Sequence, residues 1–329
     1  MLGMRVTASL VVALLWAFAG AAGGSQQDPA KHDDPPLKLE TLLVQVPVIV
    51  SGSGGRYITD LKKSDFTIFE DGVKQEIEFF GSAEEPFNVA LLLDASGSTI
   101  SQLEYIKTSA MAFIDNLRER DRVMVISFDD SVHVHCDLTS DRARLRRAVE
   151  DIKPGEYTQV YEAVYTAVWE RLQDVEGRKA VILFTDGIDN ASSEISPDET
   201  LDAIVESEDV LVYPIRYSTR ADVEARMEKR LQGPKAEEAR RELDREYRKA
   251  DEYLQELADL SGGRIERADQ LGDLKAAFAR VADELRHQYV LGYYPTNAKK
   301  NDAERKIGVR VSRDGARIRT RPGYRSSQR

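Results

Sequence analysis

Cysteine is nearly absent: Cys136 stands alone among 329 residues. No internal disulfide can form, so the fold must rest on its core, and the single thiol is expected to fill a strand face. Positive charge is in deficit as well. The 46 Lys and Arg face 57 Asp and Glu, a formal net charge of −11 with a pI near 5.1. Such a chain gains nothing from counterion release, so neither nucleic acid nor an anionic membrane is expected as a bulk partner. Only one extended apolar run opens the chain, residues 6–19, broken by Thr7 and Ser9. It is shorter than the roughly 20 residues of a comfortable membrane span. With Arg5 before it and Ala19-Gly20-Ala21 after it, residues 1–21 read as an export signal. No membrane span is then expected after cleavage. An uncleaved N-terminal anchor is the alternative, and no cysteine follows the run to support a lipid anchor. A Gly-rich phosphate loop is missing. Ser96 lacks a Gly-x-Ser-x-Gly elbow and a neighbouring histidine, so catalysis is not expected. His133 and His135 share a strand face but have no further ligands at zinc spacing.

What is present is enough for a packed core, since hydrophobic residues make up 42% of the chain. Residues 22–38 are polar, include Asp33-Asp34-Pro35-Pro36, and read as a flexible spacer. A β-segment over 39–82 follows. Val44, Val46, Val48 and Val50 alternate, with Pro47 marking an edge strand. Residues 66–70 and 73–80 flank Asp71-Gly72, a two-residue hairpin signal.

Over 86–286 the pattern changes to α/β. The apolar runs 88–93, 123–128, 180–184 and 210–215 read as buried strands, alternating with helices. Ser101 with Glu104 and Ser196 with Glu199 read as capping boxes, the latter with Pro197 in the first turn. That alternation implies a doubly wound, mostly parallel sheet with helices on both faces. Residues 219–251 break the rhythm. Their charge density, the i,i+4 pairs Glu237/Arg241 and Asp244/Arg248, and Gly233-Pro234 predict an exposed helical hairpin inserted in the domain. A stripe of Val223, Met227 and Leu231 against Leu243, Tyr247 and Leu254 would pack its two helices together. Strands return over 288–324, with Asp314-Gly315 joining the last two. Each flank is too small alone, so 288–324 is expected to pair with 39–82 into one β-domain.

Three short segments carry chemistry. Asp94-x-Ser96-x-Ser98 follows the first buried strand, Thr158 precedes a helix, and Asp186 follows the strand at 180–184. Loops at the carboxyl edge of an open parallel sheet converge on a crevice where strand order reverses. Two carboxylates and three hydroxyls are hard oxygen donors, suited to Mg²⁺, Mn²⁺ or Ca²⁺ and poorly suited to zinc. Two negative charges just balance such an ion, so an open position would draw one more anionic oxygen. Asp129, Asp130, Asp189 and Asn190 read as turn and loop formers. The arginines of the C-terminal strands read as their solvated face.

The three blocks Asp94-x-Ser96-x-Ser98, Thr158-Gln-Val-Tyr161-Glu-Ala and Phe184-Thr-Asp186-Gly187 resemble the metal-ion-dependent adhesion site of von Willebrand factor A domains. The likeness covers about residues 86–285. Asp65-Phe66 to Phe80 and Tyr289 to Pro295 resemble the flanks of a bacterial subgroup typified by acidobacterial proteins. Glu156-Tyr157 stands where many relatives have a glycine before the threonine. The resemblance implies that Asp94, Ser96, Ser98, Thr158 and Asp186 hold a divalent metal, and that a protein ligand presents an Asp or Glu carboxylate to it. The expected protein is an exported, periplasmic or secreted binding module. The alternative is an assembly subunit of an envelope complex, held by the charged insertion and the β-flanks.

Overall fold

The computed structural model describes residues 43–81, 85–207, 209–268, 270–297 and 303–326. Residues 1–42, which hold the expected export signal, the expected spacer and the start of the expected β-segment, lie outside them. Strand β1 (Val44–Ser51) opens the described chain, its valines buried. A glycine turn follows, with Gly54 and Gly55 at positive φ. Strands β2 (Phe66–Glu70) and β3 (Val73–Gln75) form the expected hairpin, with Asp71 and Gly72 both at positive φ as a tight primed turn requires. The second arm is shorter than predicted. It leaves the hairpin after Gln75, and residues 79–81 become β4 (Phe79–Gly81) in a different sheet.

The central layer begins with β5 (Phe87–Asp94), buried at every residue because both faces are covered. It continues through α1 (Leu103–Asp115), β6 (Arg122–Phe128), β7 (Val132–Thr139), α2 (Arg142–Glu150) and α3 (Val160–Tyr165). Residues 166–171 carry α3 onward as a π-helix. Then come β8 (Arg178–Thr185), α4 (Pro197–Glu206), β9 (Val210–Tyr217), α5 (Arg220–Glu228), α6 (Pro234–Ser261), β10 (Glu266–Ala268) and α7 (Leu271–Leu285). The six strands order as β10-β9-β8-β5-β6-β7, all parallel except the β6–β7 hairpin. One apolar cluster packs α1, α2 and α7 on one face, and a second packs α3, α4 and α6 on the other. Cys136 lies in the first of these.

Local signals were partly overridden. Ser196 caps α4 as expected, accepting from the Glu199 amide. Ser101 and Glu104 form no capping box. Helix α1 starts later, with Gln102 at its N-cap, because residues 99–102 are folded into the loop that follows Asp94. The predicted hairpin is also not a free-standing pair. Only α5 buries nothing, whereas α6 runs 28 residues and lays Tyr253, Leu254 and Leu257 on the sheet. The stripe is buried at Tyr247 and Leu254 and only half-buried at Val223, Met227, Leu231 and Leu243. Asp244 pairs with Arg220 of α5, and the expected Glu237/Arg241 and Asp244/Arg248 pairs are not among the ion pairs.

The chain closes with β11 (Gln288–Tyr293), β12 (Glu304–Val311), β13 (Arg317–Thr320) and β14 (Gly323–Arg325). Two antiparallel sheets mix strands from the two ends, one ordered β13-β1-β11-β4 and one β14-β12-β2-β3. Thus β13 pairs with β1, not with β12, its neighbour across Asp314-Gly315. It also makes β1 an inner strand. Pro47 is tolerated because β13 covers only residues 48–51, leaving Pro47 paired through β11 alone. Both sheets share one apolar core, from Val46 and Ile68 to Leu291 and Ile307. Among the described residues no helix is long and apolar enough to cross a membrane.

Three arginines, Arg305, Arg319 and Arg321, depart from the expected solvated face. Arg321 is fully buried and donates to the carbonyls of Ile204, Val205 and Ser207, closing the C-terminus of α4. Arg319 pairs with the buried Glu284 of α7. Between the sheets, Glu70 accepts from Arg305 at 2.6 Å, Tyr293 at 2.7 Å and Tyr324 at 2.8 Å, joining β2 to three C-terminal strands. Substituting Glu70→Gln removes the carboxylate charge that faces the buried Arg305 guanidinium, and should cost about 3–5 kcal/mol. Urea unfolding measures this. A change under about 1 kcal/mol would show that water reaches the pair.

Candidate metal centre

Strand β5 is the turning point of the sheet: the chain moves to β6 on one side of it and to β8 on the other. Asp94 is the last residue of β5 and Asp186 follows β8, so the two carboxylates straddle the point where strand order reverses. Both are buried, at 0% and 2% exposure. Asp94 Oδ1 accepts from the Ser96 amide at 3.0 Å, and Oδ2 from the Thr185 hydroxyl at 2.7 Å. The Ser96 and Ser98 hydroxyls lie 3.0 Å apart, and Ser98 also bonds to Asp186. Asp186 Oδ1 accepts from the Ile188 amide at 3.0 Å, and Oδ2 from the Thr219 hydroxyl at 2.5 Å. Ser98 is half-exposed and opens the cluster to solvent.

Thr158 reaches the same place through its backbone. Gly155 N donates to Ala95 O at 2.9 Å, and Gly97 N donates to Glu156 O at 3.3 Å, laying the Thr158 segment on the Ser96–Ser98 loop. Both glycines are needed at that approach. A methyl at 155 would meet Asp129 Cβ at 2.5 Å, and one at 97 the Glu156 carbonyl at 3.0 Å. The segment is held from two sides. Asn190 Oδ1 accepts from Thr158 N at 2.8 Å, while the Asn190 and Ala191 amides donate to Thr158 O. Asp189 Oδ2 accepts from the amides of Val160 and Tyr161 at the start of α3. Asp130 accepts from the Glu156 and Tyr157 amides. Asp130, Asp189 and Asn190 therefore do more than form their own turns: they fix the Thr158 loop. Their sequence neighbours gave no sign of this, because each partner lies about 30 residues away. Thr185 and Thr219 also escaped notice. Thr185 adjoins Asp186, but its hydroxyl serves Asp94 on the neighbouring strand.

The histidines take no part. His133 meets Asp129 at 3.1 Å, and His135 meets the Ser127 hydroxyl at 2.8 Å, on β7 and its hairpin partner.

Burial first, and then the charge of Asp186, raise the Asp94 carboxyl from its ordinary 3.8 to about 7, against the donors from Ser96 and Thr185. Asp186 is also raised, again chiefly by burial, with donors from Thr219, Ile188 and Ser98 and the charge of Arg216 acting the other way. Among the described residues no cationic side chain forms an ion pair with either. Two carboxylates, buried and outside any ion pair, with the Ser96 and Ser98 hydroxyls beside them and the Thr158 loop laid against them, are a donor set that a hard divalent cation fits.

Residues 89–188 match the family model of the von Willebrand factor type A domain, and the central layer has that α/β fold, with antiparallel sheets added. An uncharacterized protein of Synechocystis sp. is 35% identical over 106 residues, covering 31% of this chain and 25% of that protein. A UPF0353 protein of Nocardia farcinica is 23% identical over 218 residues, covering 62% and 63%. This chain thus spans less than two thirds of either curated relative. Similar solved structures include proximal thread matrix protein 1 of the mussel byssus, with a TM-score of 0.48 and 16% identity, covering 70% of this chain and 51% of that one. A further structure of the mussel protein has a zinc-occupied MIDAS motif, with a TM-score of 0.46 and 17% identity over 63% and 47%. A von Willebrand factor type A protein from Catenulispora acidiphila gives 0.45 and 13% over 80% and 73%.

Asp94 holds its proton more tightly folded than unfolded. Metal-free protein should therefore be most stable below about pH 4 as far as this group is concerned, and lose that stability as pH rises through about 7. Urea midpoints in EDTA should show a decline over this window that Asp94→Asn flattens. Identical slopes for the two proteins would contradict it.

Proposed function

We propose that this chain binds a protein ligand through a divalent metal held by Asp94, Ser96, Ser98, Thr158 and Asp186, and that a carboxylate of the ligand completes the coordination sphere. The observation that supports it most is the pair of buried carboxylates at the strand switch point, flanked by hydroxyls and with no ion pair to a cation among the described residues. Mg²⁺ suits that donor set, with Mn²⁺ or Ca²⁺ as substitutes. When bound, the ion would supply a Lewis-acidic point that captures an anionic oxygen. The chain's own groups do the positioning. Thr185 and Thr219 orient the two carboxylates, Asn190 and Asp130 hold the Thr158 loop, and half-exposed Ser98 leaves one side open.

The rim adds specificity. Ile100 and Tyr157 flank the loops of Ser98 and Thr158, and both are 54% exposed. Large apolar side chains left in solvent beside a polar site suit a partner whose carboxylate has apolar neighbours. Binding, not turnover, is the proposed activity, since among the described residues no activated nucleophile stands beside the five residues. Export rests on residues 1–21 and places the protein in the periplasm or outside the cell.

Partner capture from an envelope or culture fraction should require Mg²⁺ and fail in EDTA. Asp94→Ala should abolish it while leaving the circular dichroism spectrum unchanged. Capture that survives both treatments refutes the reading. Ile100→Asp and Tyr157→Ser should weaken partner binding at least tenfold without changing Mg²⁺ affinity. Unaltered partner affinity in both variants would remove the rim from the interface.

A further inference from the structure

The helix that buries nothing, α5, is tied to the candidate metal centre by polar contacts at its base. Thr219 is its N-cap residue, fully buried, and its carbonyl accepts from the Asp222 and Val223 amides that start the helix. The same residue donates its hydroxyl proton to Asp186 at 2.5 Å. A hydroxyl carries one proton. With that proton given to an ionised carboxylate, Thr219 Oγ1 is left as an acceptor, and the hydroxyl 2.7 Å away, that of Tyr247 on α6, must donate to it. The order is therefore Tyr247 to Thr219 to Asp186. A second tether runs to the other carboxylate's loop. Asp222 of α5 accepts from the Gln102 side chain at 2.8 Å, and Gln102 ends the turn that begins at Ser96. Helix α6 also sits directly on the Asp186-Gly187 turn. Gly187 is at φ 82°, and a methyl there would lie 2.8 Å from Leu254 Cδ1.

We propose that the α5–α6 hairpin is a control element of the metal centre, with Tyr247 and Asp222 as its positioning residues. It rests on the reading that Asp94 and Asp186 hold a metal. The Tyr247–Thr219 relay holds Oδ2 of Asp186 while the Ile188 amide holds Oδ1, and the two together fix the orientation of the carboxylate. The Asp222–Gln102 bond fixes the end of the Ser96–Ser98 loop. Helix α5 itself is held by these contacts and by surface ion pairs such as Arg220–Asp244 and Arg240–Glu228, not by apolar burial. Elements so held open at low free-energy cost. A partner that grips the charged arm and shifts α5 therefore disturbs both carboxylate loops at once. By linkage, metal binding must steady the arm to the same extent that a steady arm favours metal binding.

Two measurements on the full chain test this. Titration calorimetry with Mg²⁺ should show Tyr247→Phe and Thr219→Val weakened about ten- to a hundredfold, the usual loss when a group orienting a metal ligand is removed. Thr219→Ser, which keeps the relay, should stay near the wild type, and exposed Asp222→Ala should show a smaller loss. Tyr253→Phe is the control. Its hydroxyl makes a similar buried bond at 2.8 Å, to Thr200, away from the centre, so its metal affinity should not move even if its melting temperature does. Amide hydrogen exchange over residues 220–231 should slow when Mg²⁺ is added to the wild type and not when it is added to Tyr247→Phe. If the wild type binds Mg²⁺ and Tyr247→Phe and Thr219→Val bind it equally well, or exchange in the arm ignores the metal, the control element is refuted and the metal centre stands. If the wild type takes up no Mg²⁺, the reading of the centre fails and this inference with it.

Discussion

Two carboxylates buried face to face are an unstable arrangement, and the molecule is organised around it. Removing a charge from water is costly, and a like charge alongside compounds the cost. Hydrogen bonds answer part of that. Each Asp accepts from a backbone amide of its own loop and from a threonine hydroxyl, Thr185 for Asp94 and Thr219 for Asp186. Neither receives an ion-paired cation from the described residues, and the remaining imbalance is what makes the site a receptor for a positive ion.

Building such a pair needs a platform that resists rearrangement. The two strands that deliver it, β5 and β8, are adjacent, parallel and buried along their whole length. Helices cover both faces, so relaxing the carboxylates apart would open a packed core. The flanking sheets reinforce the platform from below. Arg321 closes the end of α4, and Arg319 grips Glu284 of α7, so the C-terminal strands hold helices from both faces of the central sheet. Strength is least at the opposite edge, where α5 buries nothing and depends on polar ties.

Much of this was legible from short-range pattern. Continuous apolar runs marked the strands, because a strand covered on both faces admits little else. Asp71-Gly72 marked a hairpin, because its turn demands two positive φ angles. The five oxygen-bearing residues stood out by type and by position, four of them just at or past strand ends and Thr158 before a helix. What could not be read was long-range pairing of polar groups. Glu70 with Arg305, and Asn190 with Thr158, are contacts that no periodicity encodes. The missed cap at Ser101 has the same origin, since the Asp94 loop claims residues 99–102 before the helix can begin.

The sequence by itself determined the alternation of strands and helices, the composition of the core, and the identity of the oxygen donors. These depend on local burial and on residue chemistry alone. Tertiary structure decided the rest. It sent β13 to β1 instead of β12, split residues 73–80 between two sheets, and turned an apparent helical insertion into an extension of α6. It also drew Thr219 and Tyr247 from the edge of a charged segment into contact with Asp186. The physical reason is common to all of these. Strand pairing and buried hydrogen bonds are chosen by which partners the closed core brings within about 3 Å, and that distance exists only once the chain has folded.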